Sequence, residues 1–187
     1  MKNTLSRRKN LKIFEIYPIF AGVLLLSEIL IEHFIQITYI GMSGYVQDVN
    51  ILPVIRHIIL MLLALALFYK KSGILIAALS MVNVVYMLFV LLQWLNIYDF
   101  IRAEAYIGLA LVAVQYSMRF FKSDTIKALS IFPGILMIVS VVYKICDTGM
   151  ITYLPECYIQ VICDVLETAA LVLMSMWYYK NFKGSVI

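Results

Sequence analysis

Residues 73–96 read GILIAALSMVNVVYMLFVLLQWLN, an apolar run that carries no Asp, Glu, Lys or Arg. A helix rises about 1.5 Å per residue, so about 20 such residues cross the hydrocarbon core of a bilayer. An uncharged stretch of this length is typical of a transmembrane helix. The stretch therefore places the chain among membrane proteins.

Five further apolar stretches, separated by short polar breaks, flank this one. They lie at about residues 13–37, 53–69, 101–121, 126–146 and 157–180. The composition agrees, since 14% of the residues are charged, against about 25% in soluble domains. The sequence predicts an all-α, multi-pass membrane protein with six transmembrane helices and the lipid bilayer as its surroundings. Its predicted parts are a basic N-terminus (1–12), the six-helix domain (13–180) and a C-terminal tail (181–187).

Basic residues are distributed unevenly between the two predicted sides of the membrane. Of the 15 Lys and Arg residues, only Arg56, Arg102 and Lys144 fall on one side, and the rest fall on the other. Because Lys and Arg are retained in the cytoplasm, this asymmetry predicts that both termini are inside. Aromatic residues near span ends, among them Trp177 and Tyr178 at the inner boundary, favour the same orientation. The compact loops favour the plasma membrane of a bacterium.

The chain also reads as three tandem helical hairpins, each of which closes on aromatic and then basic residues. The closing segments are Phe68-Tyr69-Lys70, Phe120-Phe121-Lys122 and Tyr178-Tyr179-Lys180. The hairpin beginnings also match, since Ile19-Phe20-Ala21-Gly22 is similar to Ile131-Phe132-Pro133-Gly134. Internal repeats are common in transporters, whose binding site lies between the repeated units. Chance similarity between helices built from a small apolar alphabet is the alternative, and both interpretations stay open.

Ionisable residues inside the predicted spans are concentrated in the outer half of the membrane. Each costs about 2.5–3.5 kcal/mol at mid-helix on insertion scales, so it needs a partner, a water-filled cavity or a function. Four-residue spacing places Glu28 and Glu32 on one helix face, and Asp164 and Glu167 form a second stripe. The residues predicted to bind a ligand are Glu28, Glu32, His33, Arg56, His57, Gln160, Asp164 and Glu167.

Two interpretations of these residues stay open. In the first, they line an outward-opening polar cavity for a small solute or ion. In the second, they are structural ion pairs in which Arg56 and Lys144 neutralise carboxylates and hold the bundle in one register. Arg102, Glu104 and Lys144 lie near predicted span ends, where we expect their side chains to snorkel to water. Neighbouring carboxylates repel unless a cation separates them, and that cation is Arg56, a proton, a metal or a substrate amine.

The tetrapeptide Gly41-Met42-Ser43-Gly44 resembles the G-x-S-G motif around the nucleophile of rhomboid intramembrane proteases. The resemblance implies a serine that pairs with a histidine on a later helix, within a six-helix core. The two histidines of this chain, His33 and His57, both lie in its first half. We therefore predict a flexible turn in the longest outer loop, because Gly and Ser are turn formers. No catalytic residue, cofactor or metal site is predicted, since H-E-x-x-H and P-loop patterns are missing.

Two cysteines fall near the predicted outer surface. Cys146 ends the fifth span and Cys157 opens the sixth, with ten residues between them. A disulfide between them is geometrically allowed, and the bonded and free forms both stay open. Cys163 lies within the sixth span and is predicted to act as a small apolar residue.

Three functional hypotheses follow, in different classes. In topology the chain resembles the substrate-binding membrane subunits of energy-coupling-factor transporters, with six short-looped helices, cytoplasmic termini and polar groups gathered in the outer half. That resemblance implies small-solute binding for uptake together with other transporter subunits, including an ATPase. The second hypothesis is a non-catalytic accessory, immunity or sensing protein that acts through another membrane protein. An intramembrane enzyme is the third and has the least support, and no feature points to nucleic acid.

Overall fold

The structure, a computed structural model, describes residues 16–43, 51–68, 73–93, 97–118, 127–147 and 155–181. Within these ranges the chain is helical and contains no strand. The helices are α1 (Tyr17–Ser43), α2 (Ile51–Phe68), α3 (Gly73–Gln93), α4 (Ile97–Met118), α5 (Phe132–Asp147) and α6 (Pro155–Asn181).

Four helical segments in the described part of the chain are long and apolar enough to cross a membrane. They are Tyr17–Phe34, Gly73–Leu92, Lys127–Cys146 and Tyr158–Asn181. In α2 the apolar segment is shorter, Val54–Phe68, and α4 carries Asp99, Arg102 and Glu104 in its first two turns. The all-helical fold with four candidate membrane-spanning helices is thus confirmed, whereas six spans stay a prediction.

The bundle is apolar on its outside as well as in its core. Large hydrophobic side chains face outward, and Phe34 and Leu92 are 73% and 86% exposed. Monomeric soluble proteins rarely expose apolar surface over large continuous areas. An apolar exterior is what helices in contact with lipid need, because hydrocarbon does not penalise it.

The six described helices pack as a ring in chain order. Each helix contacts the next one, α1 contacts α6, and α4 also reaches α6. Near the start of α4, the Tyr98 carbonyl accepts a hydrogen bond of 3.1 Å from Ser140 of α5. Further along α4, Gly108 approaches Pro133 near the start of α5. Since the later part of one helix meets the earlier part of the other, α4 and α5 are antiparallel.

The first helix is longer than the sequence predicted. It continues to Ser43, so Gly41, Met42 and Ser43 are helical. The prediction of a flexible turn at these residues is therefore wrong, while Gly44 lies outside the described residues. Ile40 and Met42 extend the apolar run, and Gly41 sits in the last turn, where its weak helix propensity costs little because helix ends fray.

Close helix contacts involve four of the described glycines, and three of these contacts, at Gly22, Gly73 and Gly134, join the first helix of a predicted hairpin to its second helix. We call these contacts the glycine-packed region. A Cβ atom would lie 3.1 Å from the Ala64 carbonyl oxygen at Gly22, 2.7 Å from the Ala113 carbonyl oxygen at Gly73, and 3.2 Å from the Val172 Cα at Gly134. A side chain at Gly73 would push the paired helices apart, whereas at Gly22 and Gly134 the neighbouring atoms would have to move by a few tenths of an ångström.

Aromatic residues pack between α4 and α6. The ring centroids of Trp177 and Tyr178 lie 5.0 Å apart, and Tyr116 of α4 lies 5.1 Å from Trp177. Tyr178 is fully buried and Trp177 is 7% exposed. These two residues therefore belong to the bundle interior and do not contribute to a lipid-facing aromatic belt, because α4 and α6 meet at this point.

Candidate functional site

Charged and polar side chains from five helices meet in one buried group, which we call the ionic cluster. Its members are Glu28 and Glu32 (α1), Arg56 and His57 (α2), Arg102 and Tyr106 (α4), Lys144 (α5), and Asp164 and Glu167 (α6). Glu28 and Glu167 are fully buried. Charges at this depth persist only when they are paired, because desolvation otherwise costs several kcal/mol per ion.

Arg56 is the cation that contacts most carboxylates in the cluster. Its Nη2 atom lies 2.9 Å from Glu28 Oε1 and 3.0 Å from Glu167 Oε2. Its Nη1 atom lies 3.6 Å from Glu32 Oε2. A planar guanidinium with five donors suits this arrangement, which a lysine ammonium does not reproduce. Arg56 thereby links α1, α2 and α6.

Glu167 is the carboxylate that accepts the most hydrogen bonds. It accepts from Arg56 and Arg102 through Oε2, and from the Tyr106 hydroxyl through Oε1 at 2.5 Å. Both oxygens of this fully buried side chain are therefore paired. Hydrogen bonds that include an ionised group are about twice as strong as neutral ones. Glu167 connects α6 to α2 and α4.

Asp164 forms the second carboxylate position on α6, one turn from Glu167. Arg102 Nη1 donates to its Oδ1 atom at 2.9 Å, and Lys144 pairs with its Oδ2 atom. The Lys144 ammonium also lies 4.9 Å from the centroid of the Tyr98 ring. These contacts bring α5 into the cluster and leave each Asp164 oxygen with a cationic partner.

One edge of the cluster is open to the surroundings. His57 Nε2 lies 2.9 Å from Glu32 Oε2, and the Glu32 side chain is 28% exposed. The exposed His33 packs edge-on against His57, with 6.3 Å between ring centroids. Glu28 and Glu167 lie behind this edge without exposed surface. Glu32 and His33 are thus the members of this part of the site that reach the surface.

The fixed charges of the cluster do not balance. Four carboxylates, from three Glu and one Asp, face two Arg and one Lys. His57 carries a charge only when it is protonated and is not counted here; without it, one negative charge is left over. Among the described residues, Glu28 Oε2 is a buried oxygen without a hydrogen-bond partner. One added positive charge would therefore complete the cluster, and Glu28 offers the unused acceptor.

Six of the eight predicted ligand residues lie in the ionic cluster, namely Glu28, Glu32, Arg56, His57, Asp164 and Glu167. His33 lies against the open edge. Gln160 is exposed on α6 and lies outside the buried group. The two carboxylate stripes predicted from spacing thus converge in space.

Arg102, Tyr106 and Lys144 were missing from the predicted ligand set. We expected Arg102 and Lys144 to snorkel to water, but the side chain of Arg102 is 6% exposed and that of Lys144 is 13% exposed. The expectation is wrong for Arg102 because α4 begins at Ile97 rather than near residue 101, which puts Arg102 in the second turn. It is wrong for Lys144 because its ammonium pairs with Asp164 of α6, whereas Glu104 is exposed as expected. The four-residue spacing of Arg102 and Tyr106 was the available signal, since it places both on one helix face.

The cysteine predictions have different outcomes. Cys163 is buried, and its Sγ atom lies 3.9 Å from the Glu28 carbonyl oxygen. This agrees with a small packing residue between α1 and α6. Cys146 is an exposed free cysteine, which agrees with the free form of the two that the sequence left open, and the Cys157 side chain lies outside the described residues.

Buried neutral polar groups occur away from the cluster. Asn83 and Ser80 of α3 are fully buried, and their side-chain polar atoms have no hydrogen-bond partner in the described ranges. The same holds for the hydroxyl of Ser175, which borders Gly134. These groups carry no charge, so burial costs them less than it costs the members of the cluster.

Comparison of the chain with protein-family models, with curated proteins and with solved structures gave no match. The fold and the site alone therefore describe this protein. In its described residues the chain is helical, has four helices long and apolar enough to cross a membrane, and contains a buried ionic cluster.

Proposed function

We propose that this chain is a six-helix, multi-pass protein of a bacterial plasma membrane that binds a small cationic solute or ion for uptake. In this proposal the ionic cluster is the binding site, and the chain is the membrane subunit of a transporter whose partner subunits supply energy. Ionisable residues within membrane-spanning helices mark substrate or ion sites by default.

The charge distribution supports an orientation with both termini in the cytoplasm. Lys and Arg outside the cluster fall on one predicted side of the bundle, whereas Arg56, Arg102 and Lys144 fall on the other. The positive-inside rule then places the ionic cluster in the outer half of the membrane. A solute that arrives from outside would meet Glu32 and His33 first.

The glycine-packed region supports the proposed organisation in three tandem hairpins. Gly22, Gly73 and Gly134 each lie near the beginning of a hairpin and contact its second helix. Counted from these glycines, Glu32, Asn83 and Lys144 occupy the same position ten residues later. Small residues at matching positions permit the same close helix approach in each hairpin.

The observation that carries the proposed function is the unbalanced charge of the ionic cluster. A purely structural network gains nothing from one extra buried carboxylate, because uncompensated charge destabilises a buried site. A site for a cationic group needs such a carboxylate. The unused Glu28 Oε2 atom belongs to a carboxylate that Arg56 contacts, and the partly exposed Glu32 lies one helical turn away.

A second candidate is an accessory, immunity or sensing protein that acts through another membrane protein. The observation in its favour is that Arg56, Arg102 and Lys144 already pair with the carboxylates. Ion pairs between five helices would fix one helix arrangement and present a defined outer surface to a partner. In that case the cluster has a structural role and exchanges no ligand.

A ligand screen separates the two candidates. The purified full chain in mild detergent is tested by native mass spectrometry and thermal shift with amino acids, vitamins, amines and inorganic cations. Wild type is compared with Glu28→Gln and Asp164→Asn, and Glu104→Gln is the control because Glu104 is exposed on α4.

Solute binding predicts a cationic compound that stabilises wild type and the control but neither cluster variant. Stabilisation of all four proteins by the same amount, or of none, contradicts it. Co-purification of one defined membrane protein with the wild type and with folded cluster variants alike would then favour the accessory role.

A further inference from the structure

We infer that, without a bound solute, the ionic cluster holds one proton on Glu28 and that a cationic ligand displaces this proton when it binds. The displacement rests on the proposed function, whereas the proton on the empty site does not. The ligand assigned to the Glu28 carboxylate is therefore H⁺. Solute binding then exchanges one positive charge for another.

Hydrogen-bond donors identify Glu28 as the protonated carboxylate. Glu167 accepts from Arg56, Arg102 and Tyr106, and both oxygens of Asp164 have cationic partners. Glu28 accepts from Arg56 through Oε1 alone, and its Oε2 atom has no donor in the part of the chain that the structure describes. A fully buried carboxylate with the fewest donors gains most from being neutral.

The surroundings of Glu28 contain charges from several helices. Arg56 contacts it from α2, and Arg102 lies further away on α4. Glu167 faces it from α6, Glu32 follows one turn later on α1, and the Cys163 thiol touches its backbone carbonyl. Two carboxylates thus oppose the charge of Glu28, and Arg56 shares its charge with both of them.

Charges at the rim increase the deficit. Asp99, in the first turn of α4, lies within electrostatic reach of Arg102 and Lys144. It adds a negative charge to a group that already has one too many. The group therefore needs an additional positive charge whether or not Asp99 is counted with the cluster.

A chain of titratable groups connects Glu28 to the surroundings. The exposed His33 contacts His57, and His57 lies within hydrogen-bond distance of Glu32. Glu32 and Glu28 occupy successive turns of α1 and share Arg56 as a partner. A proton released from Glu28 would pass to Glu32 and leave through the histidines, while the incoming cation takes the vacated Oε2 atom. The total charge of the site stays constant in this exchange.

Proton counting on unfolding tests the inference without any solute. The full-length chain in a weakly buffered detergent solution near neutral pH is unfolded with dodecyl sulfate, and an indicator dye reports released protons. Because glutamate is ionised in the unfolded chain, wild type should release about one proton per chain more than Glu28→Gln. Glu104→Gln, which changes an exposed glutamate, should release as many protons as wild type.

Two results would overturn the assignment. One is equal release from wild type and Glu28→Gln. The other is a loss of the extra proton in His57→Gln, which would place the proton on the histidine; a proton on Glu28 is still released from that variant.

Infrared spectroscopy keeps the inference testable if Glu28→Gln does not fold. Folded wild type should show the carbonyl stretch of a protonated carboxylic acid near neutral pH, and this band should shift in D₂O. Absence of the band in folded wild type contradicts the inference.

These measurements are independent of the ligand screen. A chain that holds the proton but binds no tested compound keeps this inference and loses the proposed function. A chain that binds a cation at Glu28 but holds no proton without solute keeps the proposed function and loses this inference.

Discussion

The ionic cluster and the glycine-packed region bury polar groups by different means. In the cluster every carboxylate has a cationic partner, and the pairs join five helices through long side chains. In the glycine-packed region the backbones themselves come close, and the Ser175 hydroxyl lies there without a hydrogen-bond partner among the described residues. An unpaired neutral group costs about 1–3 kcal/mol, whereas an unpaired ion costs several. Each buried charge of the cluster therefore contacts an opposite charge, although the Glu28 Oε2 and Arg102 Nε atoms have no hydrogen-bond partner among the described residues, whereas the neutral groups make no such contact.

Removal of the central cation should have the largest effect. Arg56→Leu leaves Glu28, Glu32 and Glu167 without a shared partner, and we expect a loss of about 3–5 kcal/mol in the free energy of unfolding. Unfolding in mixed dodecyl sulfate micelles, followed by circular dichroism, measures this loss. Arg56→Lys keeps one charge and should lose less. A change below about 1 kcal/mol for Arg56→Leu would show that the cluster does not hold the helices together.

A side chain in the glycine-packed region should have the next largest effect. In Gly73→Ala the new methyl group would lie 2.7 Å from the Ala113 carbonyl oxygen, which is backbone and cannot turn away. We expect a loss of about 2 kcal/mol from overpacking. Gly108→Ala is the matched control, because its nearest neighbour is the Pro133 side chain at 3.1 Å. Equal losses in both variants would contradict the importance of backbone contact between α3 and α4.

Loss of one neutral donor from the cluster should have a smaller effect than loss of its cation. Tyr106→Phe removes the hydroxyl that donates to Glu167 but keeps the buried ring. Glu167 retains Arg56 and Arg102, so we expect a loss of about 1 kcal/mol in the free energy of unfolding. Tyr158→Phe on the exposed face of α6 is the control. A loss as large as that of Arg56→Leu would contradict this order and would show that the Tyr106 hydroxyl contributes as much to the free energy of unfolding as Arg56 does.

Removal of an unpaired amide should have the smallest effect and the opposite sign. Asn83→Leu replaces a fully buried amide that has no hydrogen-bond partner in the described residues. We expect unchanged stability or a gain of up to about 1 kcal/mol, because the desolvation cost of the amide disappears. The same unfolding measurement applies. A clear loss would show that Asn83 has a binding partner and that α3 contributes to a polar site.

Hydropathy was sufficient to locate the described helices. The predicted span 73–96 corresponds to Gly73–Gln93, and 157–180 corresponds to Pro155–Asn181. Helix ends were less accurate, as the extension of α1 to Ser43 shows. An apolar run shows where a helix is buried or faces lipid. It does not show how many helical turns continue past the end of the apolar segment.

The site was predictable in part. Four-residue spacing identified the acidic stripes of α1 and α6, because side-chain direction in a helix follows from sequence position. It did not identify the partners of those acids. The pairing of Arg102 with Asp164 and Glu167 depends on which helices are neighbours and on their depth in the bundle. Neither is contained in the pattern of a single helix.

The unbalanced charge of the ionic cluster is tested most directly by two matched substitutions. Glu28→Gln and Glu167→Gln each neutralise a fully buried glutamate and keep its shape. Unfolding of both variants is compared with wild type without ligand, near neutral pH and at a raised pH.

Glu28→Gln should be as stable as wild type or more stable, and it should not weaken as the pH rises. Wild type should weaken, because its folded state holds a proton that the unfolded chain does not. Glu167→Gln should lose about 3 kcal/mol, since it leaves two arginines without their shared carboxylate. Equal losses in both variants would show that Glu28 is an ordinary partner in a balanced network and would contradict the excess negative charge of the cluster.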